Sequence, residues 1–297
     1  MALTVRAATA ADQPSVLAAC ATALEFDGED AVRYPEVLAR RPHHRHLVAV
    51  DGDTVVGTAY GSIRPIDGTP VAHLDLIAVA ADAQGRGAGH ALLGSLEEAL
   101  RAEGCGEMRV IGHPPHFAWP GIDVRYTRAL CLVESHGYER SRTGEHMLVD
   151  LRTAPLDTAD DERRLAACGI TVRRLTREDV PDIRPWLDAW GGTWTAEALG
   201  TLGNDPVSCH VAVGPDGGYL GFAAHGVNTP GMFGPMGTDA ATRGQGVGGV
   251  LLKRCLADQR AAGLAHAEIG WVGPHRFYAR AVDARINRVF WMYRKAL

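Results

Sequence analysis

Lysine is nearly missing from this chain: only 2 of its 30 basic residues are lysine, against 28 arginines. The net charge is −5 and no run of basic residues stands out, which excludes the electrostatic footprint of a nucleic-acid binder. No apolar run approaches the roughly 18 residues needed to span a bilayer, and the opening MALTVRAATAADQ lacks the basic-then-apolar layout of a signal peptide. The expectation is a cytoplasmic protein without membrane or nucleic-acid partners. The six cysteines (Cys20, Cys105, Cys131, Cys168, Cys209, Cys255) show no C-x-x-C spacing. They read as reduced, packed thiols, with neither a disulfide framework nor a metal centre.

What the chain does have is glycine in one telling place, twice. An apolar strand, Leu74 to Val79, leads into Gln84-Gly85-Arg86-Gly87-Ala88-Gly89, and Leu92, Leu93, Leu96 and Leu100 then recur at helical spacing. Glycines let successive backbone N–H groups converge at a helix N-terminus, where unpaired donors and the helix dipole favour an anion such as a phosphate. One such pattern is expected by chance roughly once in a chain of this length. A second copy, Arg243-Gly244-Gln245-Gly246-Val247-Gly248, precedes the stripe Leu251, Leu252, Cys255 and Leu256. Gly104 and Gly263, each placed to end a helix, stand at the same offset.

The repeat extends outward from the turns. Val5-Arg6 to Asp12 and Val172-Arg173 to Asp179 both read as a strand leading into a helix cap. Helices are expected at about 13–25, 31–41, 179–190 and 195–202, and hairpins at about 46–60 and 210–224. The expected division is a first domain at 1–152, a polar linker at 153–169 and a second domain at 170–297.

These two strand-turn-helix units resemble the GNAT superfamily of acetyl-CoA-dependent N-acetyltransferases, and the duplication resembles its tandem members. The resemblance implies two mixed α/β domains, each a twisted, mostly antiparallel sheet flanked by helices. It implies acetyl-CoA as acyl donor, a small-molecule amine as acceptor, direct transfer and no metal. It further implies that Gln84 to Gly89 and Arg243 to Gly248 grip the CoA pyrophosphate. Counting back from these turns, Ile77 and Met236 would present the oxyanion N–H, with Val79 and Thr238 pairing with the pantetheine arm. The family's acid, a tyrosine of the last helix, maps onto Tyr278 in the second half but onto Val133 in the first.

An alkyl amine with a pKa near 10.4 is about 0.04% neutral at pH 7, a cost of about 4.6 kcal/mol that a base or desolvation must offset. The position of the family's glutamate base is His73 in the first half and Met232 in the second. His73 and Asp75 would alternate onto one strand face as base and partner, or else be a satisfied strand histidine and an exposed aspartate. Glu268 is the substitute base of the second half. Tyr278 alone tips the expected chemistry toward the second domain, its other reading being a core ring. The alternative function is a CoA-binding or scaffolding tandem protein with one or both domains silent.

Three features fall outside the motif. Trp186, Trp190 and Trp194 stand at helical spacing and read as core or interdomain packing, or as an acceptor wall. Arg41-Pro42-His43-His44-Arg45-His46 reads as a solvated loop. The insertion His113 to Gly121 reads equally as a lid or a spacer.

Overall fold

The computed structural model describes residues 3–41, 44–113 and 115–297. Pro42 and His43 of the histidine-rich run and Pro114 of the insertion lie outside them. In chain order the elements are β1 (Leu3–Ala7), α1 (Gln13–Ala23), α2 (Tyr34–Ala39), β2 (His44–Asp51), β3 (Thr54–Ile66), β4 (Thr69–Val79), α3 (Ala88–Ala102), β5 (Glu107–Val110), β6 (Ile122–Asp123), α4 (Thr127–Ser135) and β7 (Glu139–Asp150). There follow α5 (Ala159–Ala167), β8 (Thr171–Arg174), α6 (Val180–Asp188), α7 (Trp194–Gly200), β9 (Cys209–Val213), β10 (Tyr219–His225), β11 (Met232–Thr238), α8 (Val247–Ala261), β12 (His266–Ile269), α9 (His275–Val282) and β13 (Arg285–Ala296).

Two compact units result: residues 1–144 with 289–297, and residues 145–288. These are not the ranges expected from the repeat. In the first unit β1 to β4 form an antiparallel run, β5 joins β4 in parallel, and the far side of β5 is taken by the chain's last strand, Tyr293 opposite Val110. In the second, β8 to β11 repeat that run, β12 joins β11 in parallel, and the strand beside it is the end of β7, Met147 opposite Ile269. The two halves have exchanged their final strands. Strand pairing is carried by backbone groups, so the sequence pattern does not specify which copy of an equivalent strand closes each sheet. The segment expected as a linker is folded into the second unit, where α5 buries Leu165 in the core.

In the first unit Leu92, Leu93, Leu96 and Leu100 of α3 are fully buried over the sheet against Ala59, Leu74, Met108 and Tyr293. Each such side chain contributes about 1.5–3 kcal/mol relative to exposure. Val16, Cys20 and Leu38 of α1 and α2 cover the other face over Tyr60, Leu76 and Ala78. In the second unit α8 packs its own stripe, Leu251, Leu252, Cys255 and Leu256, while Ile183, Leu187 and Ala198 of α6 and α7 cover Val211 and Phe222. Among the described residues no helix is long and apolar enough to cross a membrane. All six cysteines are free, four of them buried; Cys131 and Cys168 are exposed, so the expectation of packed thiols fails for these two.

Candidate active site

β4 touches β5 only at Ala72–Met108 and His73–Arg109, then runs on to Val79 while β5 stops at Val110. The strands splay, and a cavity of about 1040 Å³ opens between them, lined by Leu74 to Val79 and by the glycine turn. Such a volume lies at the upper end of small-molecule sites. On its other side β4 stays paired with β3, and the N–H of Ala80 donates to the carbonyl of Val56 at 2.9 Å. Strand donors alternate, so Ala78 also faces β3 and the N–H groups of Ile77 and Val79 point into the cleft.

The glycine turn is built for close approach. Gly85 and Gly87 hold φ of 76° and 90°, and nothing lies within 4 Å of where a Cβ would sit on either. Gly87 caps α3, whose first N–H groups therefore lack helical acceptors. Gln84 braces the turn by donating its Nε2 to the Val79 carbonyl at 3.0 Å, and Arg86 donates to the Asp82 carbonyl at 2.9 Å.

The acid and base candidates of this half are rearranged. β3 pairs Tyr60 with Leu76 but Gly61 with Leu74, which leaves Asp75 as the extra residue of a β-bulge. His73 and Asp75 do share a face: Ser62 stands opposite His73, and its hydroxyl and Asp75 Oδ1 both contact Arg41 Nη1, so the bulge interrupts the alternation only beyond Asp75. His73 directs Nδ1 to the Ile111 carbonyl at 2.9 Å, and burial pushes it down to about 4, leaving it neutral. Asp75 lines the cleft and is buried, not exposed. Its Oδ1 takes an ion pair from Arg41 at 2.7 Å, and burial pushes the carboxyl up to about 6 with the Arg41 charge pulling the other way. Its Oδ2 is buried with no hydrogen-bond partner among the described residues.

Arg41 is therefore no part of a solvated loop. Its side chain is 3% exposed and also donates to Ser62 Oγ (2.8 Å) and the His113 carbonyl (2.8 Å), with further contacts to His113 Nε2 and the His116 carbonyl. At the opposite wall Tyr126, the residue before α4, donates its hydroxyl to Asp27, which also accepts from Trp119 Nε1 at 2.8 Å. Trp119 and Tyr126 line the cleft. The insertion is thus pinned near both its ends. Val133, which aligns with the family's tyrosine, is fully buried in the core.

The second unit repeats the splay with different fittings. β11 meets β12 at Met232–Glu268 and Phe233–Ile269 and runs on to Thr238, while the N–H of Asp239 donates to Leu220 on β10. By the same alternation Met236 and Thr238 turn their N–H groups away from β10. The turn is also matched, Gly244 and Gly246 holding φ of 81° and 86°. Here, however, the loop is occupied: Arg164 of α5 donates Nη1 to the Gln245 carbonyl at 2.6 Å, and its Nη2 lies 2.6 Å from where a Cβ on Gly246 would sit.

Tyr278 is 6% exposed, stacked edge-on to Phe233 and Phe277 within the core, and burial pushes it up to about 12. Glu268 receives His146 Nδ1 at 2.6 Å, a partner contributed by β7 that the repeat did not suggest. Trp190 and Trp194 have ring centroids 5.7 Å apart and lie within 3.3 Å of where a Cβ on Gly237 would sit, so they wall the face of β11. Among the described residues no group of three or more His, Cys, Asp or Glu could hold a metal ion.

Residues 15–116 match the family model described as the acetyltransferase (GNAT) family. No curated protein matches the chain in sequence. Among solved structures, the tandem GNAT protein from the clavulanic acid biosynthesis pathway superposes with a TM-score of 0.71 at 18% identity, covering 99% of this chain and 98% of its own. A GCN5-related N-acetyltransferase from Sphaerobacter thermophilus gives 0.65 at 19%, covering 99% and 95%. A GCN5-related glucosamine N-acetyltransferase region of a fungal multi-domain GH3 β-N-acetylglucosaminidase gives 0.81 at 17%; it covers 99% of this chain, which spans only 38% of that enzyme. Residues 15–116 of the first unit thus match the GNAT acetyltransferase family model, and the chain as a whole has the fold of solved tandem GNAT proteins.

Proposed function

We propose that this chain is an N-acetyltransferase that moves an acetyl group from acetyl-CoA to the amine of a small molecule, and that the chemistry takes place in the first unit. The observation that carries this is the cavity itself: one space of about 1040 Å³ joins an open phosphate-type turn, the outward N–H groups of Ile77 and Val79 and the residue Asp75, whose carboxylate is buried directly behind that wall. The donors at the start of α3 and the turn Gln84 to Gly89 suit the diphosphate of CoA, and Val79 suits its pantetheine amides. Acetyl-CoA supplies the thioester.

Asp75 Oδ2 accepts a proton from the entering ammonium, and the free amine attacks the carbonyl carbon. Ile77 N–H is aimed where the oxyanion forms. When the intermediate collapses the C–S bond breaks, the thiolate leaves, and the second proton given up by the amine nitrogen goes to that thiolate or to solvent. A thiol of pKa about 8.5 is far less costly to release as an anion at pH 7 than an amine is to deprotonate, so no strong acid is required of the first unit. The proton on Asp75 then passes to solvent.

For the second unit two observations favour the silent, CoA-loop reading: Arg164 lies against its turn, and Tyr278 is a core ring. The test is thiol release from acetyl-CoA in the presence of a panel of primary amines. Turnover with at least one amine, lost in Asp75→Asn, supports the proposal. No thiol release with any amine would leave the scaffolding alternative.

A further inference from the structure

Arg41 is a heavily committed side chain beside the cleft. Arginine has five N–H donors in a rigid fork, and here they reach three separate elements: Ser62 on β3, Asp75 on β4 and the carbonyls of His113 and His116 in the insertion. A buried guanidinium requires such partners, and a salt bridge to a surface carboxylate would serve stability as well. This one instead leaves one oxygen of Asp75 without a hydrogen-bond partner among the described residues, buried behind the cleft wall that the residue lines.

We infer that Arg41 is a positioning residue for the acetyl transfer. It holds the Asp75 carboxylate ionised just behind the cleft wall, within a proton's transfer of the acceptor, and it fixes the insertion His113 to Gly121 as a permanent wall of the cleft. This rests on the proposed function of the first unit.

Two actions are combined, and they are separable. The charge acts on Asp75 electrostatically, together with Ser62 on β3 and His44 on β2, while Arg64 on β3 and His113 and His116 of the insertion face Arg41 itself and His73 on β4 faces His113. The fork acts on the insertion by geometry, since the carbonyls it binds belong to the loop that carries Trp119 into the cleft. Lysine keeps the charge but cannot reproduce the fork, while methionine keeps neither.

The experiment compares wild type, Arg41→Lys and Arg41→Met in the pH dependence of kcat/KM and in the acceptor KM. Loss of the charge should move the acid limb of Arg41→Met upward by about one pH unit or more, with Arg41→Lys close to wild type. Loss of the fork should raise the acceptor KM of both variants about tenfold or more, with a smaller effect on kcat. Coinciding acid limbs in all three proteins, or an unchanged KM in Arg41→Lys, would overturn the inference. If Arg41→Met fails to fold, the KM of Arg41→Lys decides. If wild type acetylates no amine, the function proposed above fails. Carboxyl NMR of aspartate-labelled protein then reads Asp75 directly: an upward titration in Arg41→Met keeps the hold of Arg41 on Asp75 while its role in acetyl transfer falls with the function, and an unmoved one ends both.

Discussion

The hydroxyl of Tyr126 donates to the carboxylate of Asp27, tying the residue before α4 to the loop after α1 at one wall of the cleft. The same carboxylate accepts from Trp119 Nε1 and from Tyr34 at 3.3 Å, so a single anion satisfies three aromatic donors.

Asp27→Ala strips those donors of their acceptor. Unfolding free energy should fall by about 3 kcal/mol, the cost of leaving partly buried donors without their charged partner, and denaturant titration measures it. Asp27→Asn, which keeps one carbonyl acceptor, should lose less. Equal stability of wild type and Asp27→Ala would remove the network from the cleft's architecture.

Asp75 has its pKa raised toward 6, so it is a proton acceptor only above that value. The kcat/KM of the acetyl transfer should therefore rise with pH through about 6 and level off above it. Below pH 6 the carboxyl is protonated and cannot take a proton from the ammonium. Asp75→Asn should remove the limb together with the activity.

His73 predicts the contrary sign of result. Buried and pushed down to about 4, it is neutral throughout the working range and already donates to Ile111. His73→Gln should leave the acid limb near pH 6 in place. A limb that disappears in that variant would reinstate His73 as the base.

Gly87→Val tests the first turn. At φ of 90° a β-branched residue is strained by about 1–2 kcal/mol or more, and its side chain would project toward the bound diphosphate. Calorimetry should show the loss of CoA binding to the first unit in a protein that still melts cooperatively. Full retention of CoA affinity would refute the assignment of Gln84 to Gly89.

The glycine turns were readable because their conformation is local: glycine at positive φ leading into a helix leaves a trace in a short stretch of sequence, and the second copy raised it above chance. Ile77, Val79, Met236 and Thr238 came from counting back along the family's motif; alternation along β4 and β11 turns their N–H groups away from β3 and β10. Alternation also set His73 and Asp75 on one face, but the bulge at Asp75 left no trace, because a bulge depends on the partner strand. Arg41, Asp27 and Tyr126 carry no motif; they meet only because loops far apart in sequence fold over one cleft. The exchange of final strands was invisible for another reason, since either copy satisfies the same backbone pattern.

The most direct test of the account is thiol release from acetyl-CoA with an accepted amine, measured in parallel for wild type, Asp75→Asn and Tyr278→Phe. With catalysis in the first unit and Asp75 as base, Asp75→Asn should be slower by about 100-fold or more, and Tyr278→Phe should stay within about twofold of wild type. The reverse, a Tyr278→Phe enzyme that has lost turnover beside an active Asp75→Asn, would place the chemistry in the second unit and contradict the account.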